Sequence, residues 1–201
     1  MVKNYKSIFI VLCLVCMLIS GCAPKEKPEE SIASIANAIL QQDGQLLKKF
    51  NISGDDMHRE MVKATADAYR VNSGFIFSQE QSMRVGEAYV NLLKKVNVST
   101  NTVSVDGGKA TVEITVGTIN LDSINLETIT LKLAGRISEY SSEKEILDEC
   151  TNVMIEEISR LPVTGQSKFK TTCTYNKDVK MWVPDDIEKF GTDLESNIMG
   201  L

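Results

Sequence analysis

Apolar residues recur at helical spacing from Ser31 to Val96, and strict alternation takes over after that. Between Ser31 and Phe50, Ile32, Ile35, Ile39, Leu46 and Phe50 mark one helical side, with Ala36, Leu40 and Leu47 beside them. Asp43-Gly44 lies inside this run and predicts a bend or a brief interruption. Ser53 and Asp56 offer a start for a second helix carrying Met57, Met61, Ala64 and Ala68. Ser78-Gln79-Glu80-Gln81 has the S-x-x-Q form of a capping box. It opens a third helix with Val85, Tyr89, Leu92, Leu93 and Val96 on one side.

The period then shortens. Val98–Val105 is rich in Val, Ser and Thr, Asp106-Gly107-Gly108 follows, and Ala110, Val112, Ile114 and Val116 alternate strictly. Strand, tight turn, strand is the expected reading. Leu121–Ile137 is open: Leu126, Ile129, Leu133 and Ile137 fit a helix, whereas Ile129, Leu131 and Leu133 fit a strand. Ser142–Leu161 predicts a helix with Ile146, Leu147, Cys150, Met154, Ile155 and Ile158 on its apolar face. Phe169, Thr171, Cys173 and Tyr175 alternate, Asn176–Asp178 predicts a turn, and Val179–Val183 predicts a strand stopped by Pro184. Asp185 and Glu188 form a D-x-x-E start for a last helix bearing Ile187, Phe190, Leu194 and Ile198. Helices followed by hairpins with a helical insertion indicate an α+β fold, N-terminal helices on a curved antiparallel sheet.

The first residues follow another rule. Lys3 and Lys6 precede Ile8–Ile19, an uninterrupted apolar run too short to span a bilayer, which takes roughly 20 residues. It suits the core of a secretory signal. Ile19-Ser20-Gly21-Cys22 resembles, position by position, the lipobox of bacterial lipoproteins. That resemblance implies a diacylglyceryl group on Cys22 and cleavage before it. Two chains give stable anchoring where one is marginal. The expected organisation is therefore a signal peptide at 1–21, a lipidated cysteine and flexible tether at 22–30, and a single α+β domain at 31–201. The protein would sit on the outer face of the cell membrane.

This reading removes Cys13 and Cys16 with the signal, so their C-x-x-C spacing carries no metal or redox meaning. Cys150 and Cys173 remain. They are either a disulfide, worth roughly 3 kcal/mol in the chain-entropy model, or two buried free thiols.

The hydrophobic content of 43% and charged content of 24% are ordinary globular usage. The formal charge is -5, and Lys3 and Lys6 leave with the signal, so the domain is more acidic still. Such a body has no electrostatic reason to bind nucleic acid.

The lipobox, "AILQQDGQLLKKF", "DGGKATVEITV" and "MWVPDDIEKF", taken in that order, resemble an uncharacterised family of Gram-positive surface lipoproteins. The resemblance implies a cystatin-like or NTF2-like cone and brings no catalytic residues with it.

Candidate chemistry is sparse. His58 is the only histidine and lies near Asp55, Asp56 and Glu60 in a first helical turn. It reads as a solvated residue rather than a general base. Asp55-Asp56 and Asp185-Asp186 sit where helix caps belong. Gly107-Gly108 lies in a hairpin and not between strand and helix, so it is no phosphate loop. No metal set and no cofactor is expected. Tyr69, Phe75, Phe77 and Tyr89 would line the open end of a cone, and Trp182 would floor a pocket or fill the core. The expectation is a non-catalytic, membrane-anchored protein that binds a partner protein or small ligand. Pairing with a second copy is open. The alternative is an NTF2-like enzyme of isomerase or dehydratase type working in the cone cavity.

Overall fold

The structure is a computed structural model, and it describes residues 26–138 and 142–200. Cys22 and the signal segment lie outside the described residues. Seven helices and four strands occur among the described residues: α1 (Pro28–Gln41), α2 (Gly44–Lys48), α3 (Gly54–Asn72), α4 (Gln79–Leu93), β1 (Val98–Asp106), β2 (Lys109–Ile119), α5 (Leu126–Ala134), α6 (Glu143–Arg160), β3 (Val163–Asn176), β4 (Met181–Pro184) and α7 (Ile187–Met199). The class is α+β. Within 31–201, read from sequence as one domain, the chain forms two compact units that interleave. Among the described residues, one unit holds 26–57, Val96–Ile119 and 163–200. The other holds His58–Lys95 and Asn120–Pro162.

The first unit is built on an open antiparallel sheet in the order β1-β2-β3-β4. Asp106 pairs with Lys109 across a two-residue turn. Gly107, at φ 59, supplies the left-handed conformation that such a turn requires. Strict alternation in β2 sorts the faces: Ala110, Val112, Ile114 and Val116 are buried, while Thr111, Glu113 and Thr115 are less so. Opposite them on β3 come Cys173, Thr171, Phe169 and Ser167. Two helices cover this face. α1 buries Ile32, Ile35, Ala36 and Ile39 and packs on β1, β2 and β4; α7 buries Phe190, Leu194 and Ile198 and packs on β2, β3 and β4. Each of the Ile, Leu and Phe side chains among them contributes roughly 1.5–3 kcal/mol when fully buried. The other face stays polar, with Lys168 paired to Glu113 at 3.2 Å.

α1 starts at Pro28, three residues before the Ser31 that periodicity suggested. Pro28 suits the first helical turn, and the Glu30 carboxylate accepts the Lys27 backbone N–H at 3.5 Å. The tether expected at 22–30 therefore gives way to ordered chain at its C-terminal end. Glu26 is already fixed, because its carbonyl oxygen accepts the Trp182 Nε1–H at 3.0 Å. Asp43 caps α2 by accepting from the Gln45 amide, which is the interruption expected there. At the last helix the cap is Asp186 rather than Asp185. The Asp186 carboxylate accepts the Lys189 amide at 2.8 Å, and Asp185 instead accepts the Thr174 hydroxyl at 2.6 Å.

The second unit is helical. α4 and α5 pack on α6, and α4 lies close against α3, where Gly86 faces the Val62 carbonyl. The open stretch 121–137 resolves as a 3-10 turn at Leu121–Ser123 followed by α5, whose N-cap Asn125 accepts from two amides. Lys132 of α5 is ion-paired with Glu156 and Glu157 of α6, and Arg136 with Glu156 at 2.8 Å. On α6 the fully buried positions are Thr151, Val153 and Ile158. The expected stripe of Ile146, Leu147, Cys150, Met154 and Ile155 is half-buried. Thr151 tolerates burial because its hydroxyl donates to the Leu147 carbonyl at 2.8 Å.

Candidate functional site

The most unusual surface in the second unit is the turn between α3 and α4. Helix α3 ends by a series of backbone bonds in which Ser73 N–H donates to Tyr69 O, Gly74 N–H to Val71 O, and Phe75 N–H to Arg70 O at 2.8 Å. Gly74 and Phe75 both take positive φ, 67° and 63°. For glycine this is easy; for a bulky residue it is costly and uncommon. The capping box at Ser78 then starts α4, with the Ser78 hydroxyl accepting the Gln81 amide at 3.2 Å.

The turn sorts its apolar side chains. Phe77 is buried and stacks on Tyr69 at 5.1 Å between ring centroids. Val71, Phe75 and Ile76 stay 60%, 62% and 59% exposed. The Arg70 guanidinium lies 5.5 Å from the Phe75 ring centroid and donates from Nη1 to Gln79 Oε1 at 2.7 Å. It holds the exposed ring through a cation–π contact. Arg70 Nε is buried with no hydrogen-bond partner. Three exposed apolar side chains thus lie within six residues, on a strained turn and beside an arginine.

The residues singled out from sequence belong to two different units. Tyr69, Phe75 and Tyr89 belong to the second unit. Tyr69 and Tyr89 are half-buried, and Phe75 points outward. Burial, and then the neighbouring Cys150, push the Tyr69 hydroxyl up to about 12. Trp182 belongs to the first unit and is 1% exposed. It meets Tyr175 edge-on at 5.7 Å, and its backbone N–H donates to Ser31 Oγ at 3.1 Å. This is a core residue that also ties down the chain at Glu26.

Cys150 and Cys173 are free thiols on different units, Cys173 buried and Cys150 only half-buried. Burial, and secondarily the charge of Asp185, push Cys173 up to about 11; burial also raises Cys150. His58 is not merely solvated. Its Nε2 lies 2.9 Å from Glu87 Oε2 on α4, a tertiary partner that no local pattern around His58 announces. Glu195 on α7 was not singled out; burial raises its carboxyl above the usual glutamate value. Among the described residues no group of three or more His, Cys, Asp or Glu is arranged to hold a metal ion. No helix among the described residues is long and apolar enough to cross a membrane.

No protein-family model matches the chain, and no curated protein matches it. A solved structure with a similar fold is that of ycdA, a candidate lipoprotein from Bacillus subtilis strain 168. The TM-score is 0.62 at 18% identity, and the match covers 84% of this chain and 55% of ycdA. The chain thus spans little more than half the length of that neighbour. At this identity the likeness is one of fold.

Proposed function

We propose that the chain is a membrane-anchored extracytoplasmic lipoprotein that acts by binding a partner protein rather than by catalysis. The observation that carries the anchor is Ile19-Ser20-Gly21-Cys22 at the end of a lysine-flanked apolar run. The fold shared with ycdA, itself a candidate lipoprotein, supports it. For the sheet unit we favour a cystatin-like or NTF2-like description. A long N-terminal helix lies on a four-stranded antiparallel meander, and a helical segment is inserted between β2 and β3.

The binding surface in this reading is the turn Arg70–Phe77. Small-molecule sites enclose most of their ligand, and side chains as exposed as Val71, Phe75 and Ile76 suit a protein surface better. A second copy of the chain is one form the partner could take.

Two measurements test this. Mass spectrometry of the mature N-terminus should find diacylated Cys22 in wild-type protein, and Cys22→Ser should leave an uncut precursor. An unmodified N-terminus elsewhere in wild-type protein would refute the anchor. A photo-crosslinking residue at position 75 should capture one defined protein in cells, while the same residue at exposed Lys63 should not. Equal capture at both positions would refute the binding surface.

The second reading, an NTF2-like enzyme of isomerase or dehydratase type, is favoured by one observation, the partly buried Glu195 with its raised carboxyl. Substrate turnover that survives repurification and is lost in Glu195→Gln would establish it over the first.

A further inference from the structure

The chain enters the first unit at one end of its sheet. Trp182 Nε1–H donates to Glu26 O at 3.0 Å, and Thr100 Oγ1 donates to Glu29 O at 2.7 Å. The Thr102 hydroxyl also bonds the Glu29 carboxylate, which lowers the pKa of that carboxyl. These bonds fix the first turn of α1 to both edge strands, β1 and β4. Trp182 pairs with Tyr175 across the β3–β4 ladder, and the Tyr175 N–H donates to Gly108 O at 3.1 Å. The turns Asp106–Lys109 and Asn176–Lys180 therefore share one end of the sheet, the end at which Trp182 meets Glu26. The opposite end carries Gln166, ten residues back along β3 from Asn176, or roughly 33 Å at the rise of a strand.

Cys22 and Glu26 are separated by four peptide steps. Extended chain reaches at most about 3.6 Å per residue, so Glu26 lies within roughly 14 Å of the Cys22 backbone. An acylated Cys22 sits at the bilayer surface. The near end of the sheet is then held within contact range of the headgroups, and an upright sheet places Gln166 beyond it.

The near end also has features suited to a lipid surface. Val103 and Val105, on edge strand β1, are 49% and 55% exposed. An exposed apolar edge is a liability that proteins usually cover. Lys109 and Lys180 are exposed and Lys177 is half-exposed, so all three can set aliphatic stems among headgroups. Asp106 and Asp178 offset two of these three charges, so the tether rather than charge keeps this end down.

We propose that the sheet unit stands on the lipid bilayer on the end formed by the turns Asp106–Lys109 and Asn176–Lys180, with Val103 and Val105 against the headgroup region. This rests on the lipoprotein reading. The test uses the full lipidated chain in vesicles of phosphatidylethanolamine and phosphatidylglycerol containing nitroxide-labelled headgroups. A fluorescent amino acid is placed at 105, 178 or 166, all exposed positions. Probes at 105 and 178 lose most of their emission, the probe at 166 keeps its emission, and added salt does not restore the loss. Equal quenching at 166, or no quenching at 105 and 178, overturns the proposal while mass spectrometry still shows diacylated Cys22. An N-terminus without acyl chains overturns the lipoprotein reading and this inference with it.

Discussion

Gly86 on α4 lies against the carbonyl oxygen of Val62 on α3: a Cβ built at Gly86 would stand 2.5 Å from that oxygen and 3.3 Å from the Ala66 amide nitrogen. Both obstacles are backbone, so neither can rotate away. Gly86 is buried, and it lets two helices approach more closely than any side chain permits. Gly86→Ala would gain roughly 1 kcal/mol in helix propensity. The helices must separate to admit the methyl, however, and overpacking of this kind costs roughly 1–3 kcal/mol. The expected outcome is a lower urea midpoint. A midpoint equal to or above wild type would show that the crossing is looser than the backbone positions indicate.

Phe75 presents the opposite balance. At φ 63° it occupies backbone that disfavours a bulky side chain, and its ring remains mostly exposed. Asparagine tolerates the left-handed region better. Phe75→Asn loses a cation–π contact worth roughly 0.5–1 kcal/mol at an exposed site and relieves strain of comparable size. The midpoint should stay within about 0.5 kcal/mol of wild type, while partner capture through a crosslinking residue at position 76 disappears. A large loss of stability would make Phe75 a structural residue and remove the reason for placing a binding surface there.

Local rules made much of the fold legible. The capping box at Ser78, the Asp106–Lys109 hairpin and the alternation of β2 are each set by residues within a few positions of one another. What stayed hidden depends on distant partners. The His58–Glu87 pair joins residues on facing helices, and Trp182 on β4 reaches back to Glu26 just ahead of α1. The 121–137 stretch was ambiguous because Leu and Ile serve either period; Asn125 decides it by capping α5. The surface at Val71–Ile76 was half visible. Its aromatics stood out, but the outward turn of Phe75 against the burial of Phe77 follows from backbone geometry that residue spacing does not reveal.

The thiols differ enough in burial to be told apart chemically. Cys173 is fully buried and its pKa is pushed up to about 11, so little thiolate exists at neutral pH and reagent has no access. Cys150 is raised less and is half-buried. A soluble variant lacking residues 1–22, treated with iodoacetamide at pH 8, should label first at Cys150, and at Cys173 only when unfolded. Intact mass followed by peptide mapping reads the order. Two thiols that resist labelling until reductant is added would instead reveal a disulfide.

Glu195 gives the pH prediction. Burial raises its carboxyl above the ordinary value near 4.5, so over the interval between those two values the folded chain keeps a proton that the unfolded chain has released. Stability is lost as pH rises through that interval and stays lost above it. The carboxylates held low by partners act the other way. Glu156 beside Arg136 and Asp148 beside Lys144 contribute stability above their unfolded values, and that contribution falls away as pH drops through the folded ones. A wild-type profile mixes both trends, so the informative quantity is the difference between Glu195→Gln and wild type. That difference should be near zero at pH 4 and should grow in favour of the variant toward pH 7, because glutamine keeps the shape and cannot ionise. Urea midpoints across the range measure it. A variant less stable than wild type at pH 7 would mean that the Glu195 carboxylate is stabilised in the folded chain, and the buried-acid reading on which the enzymatic alternative depends would fall with it.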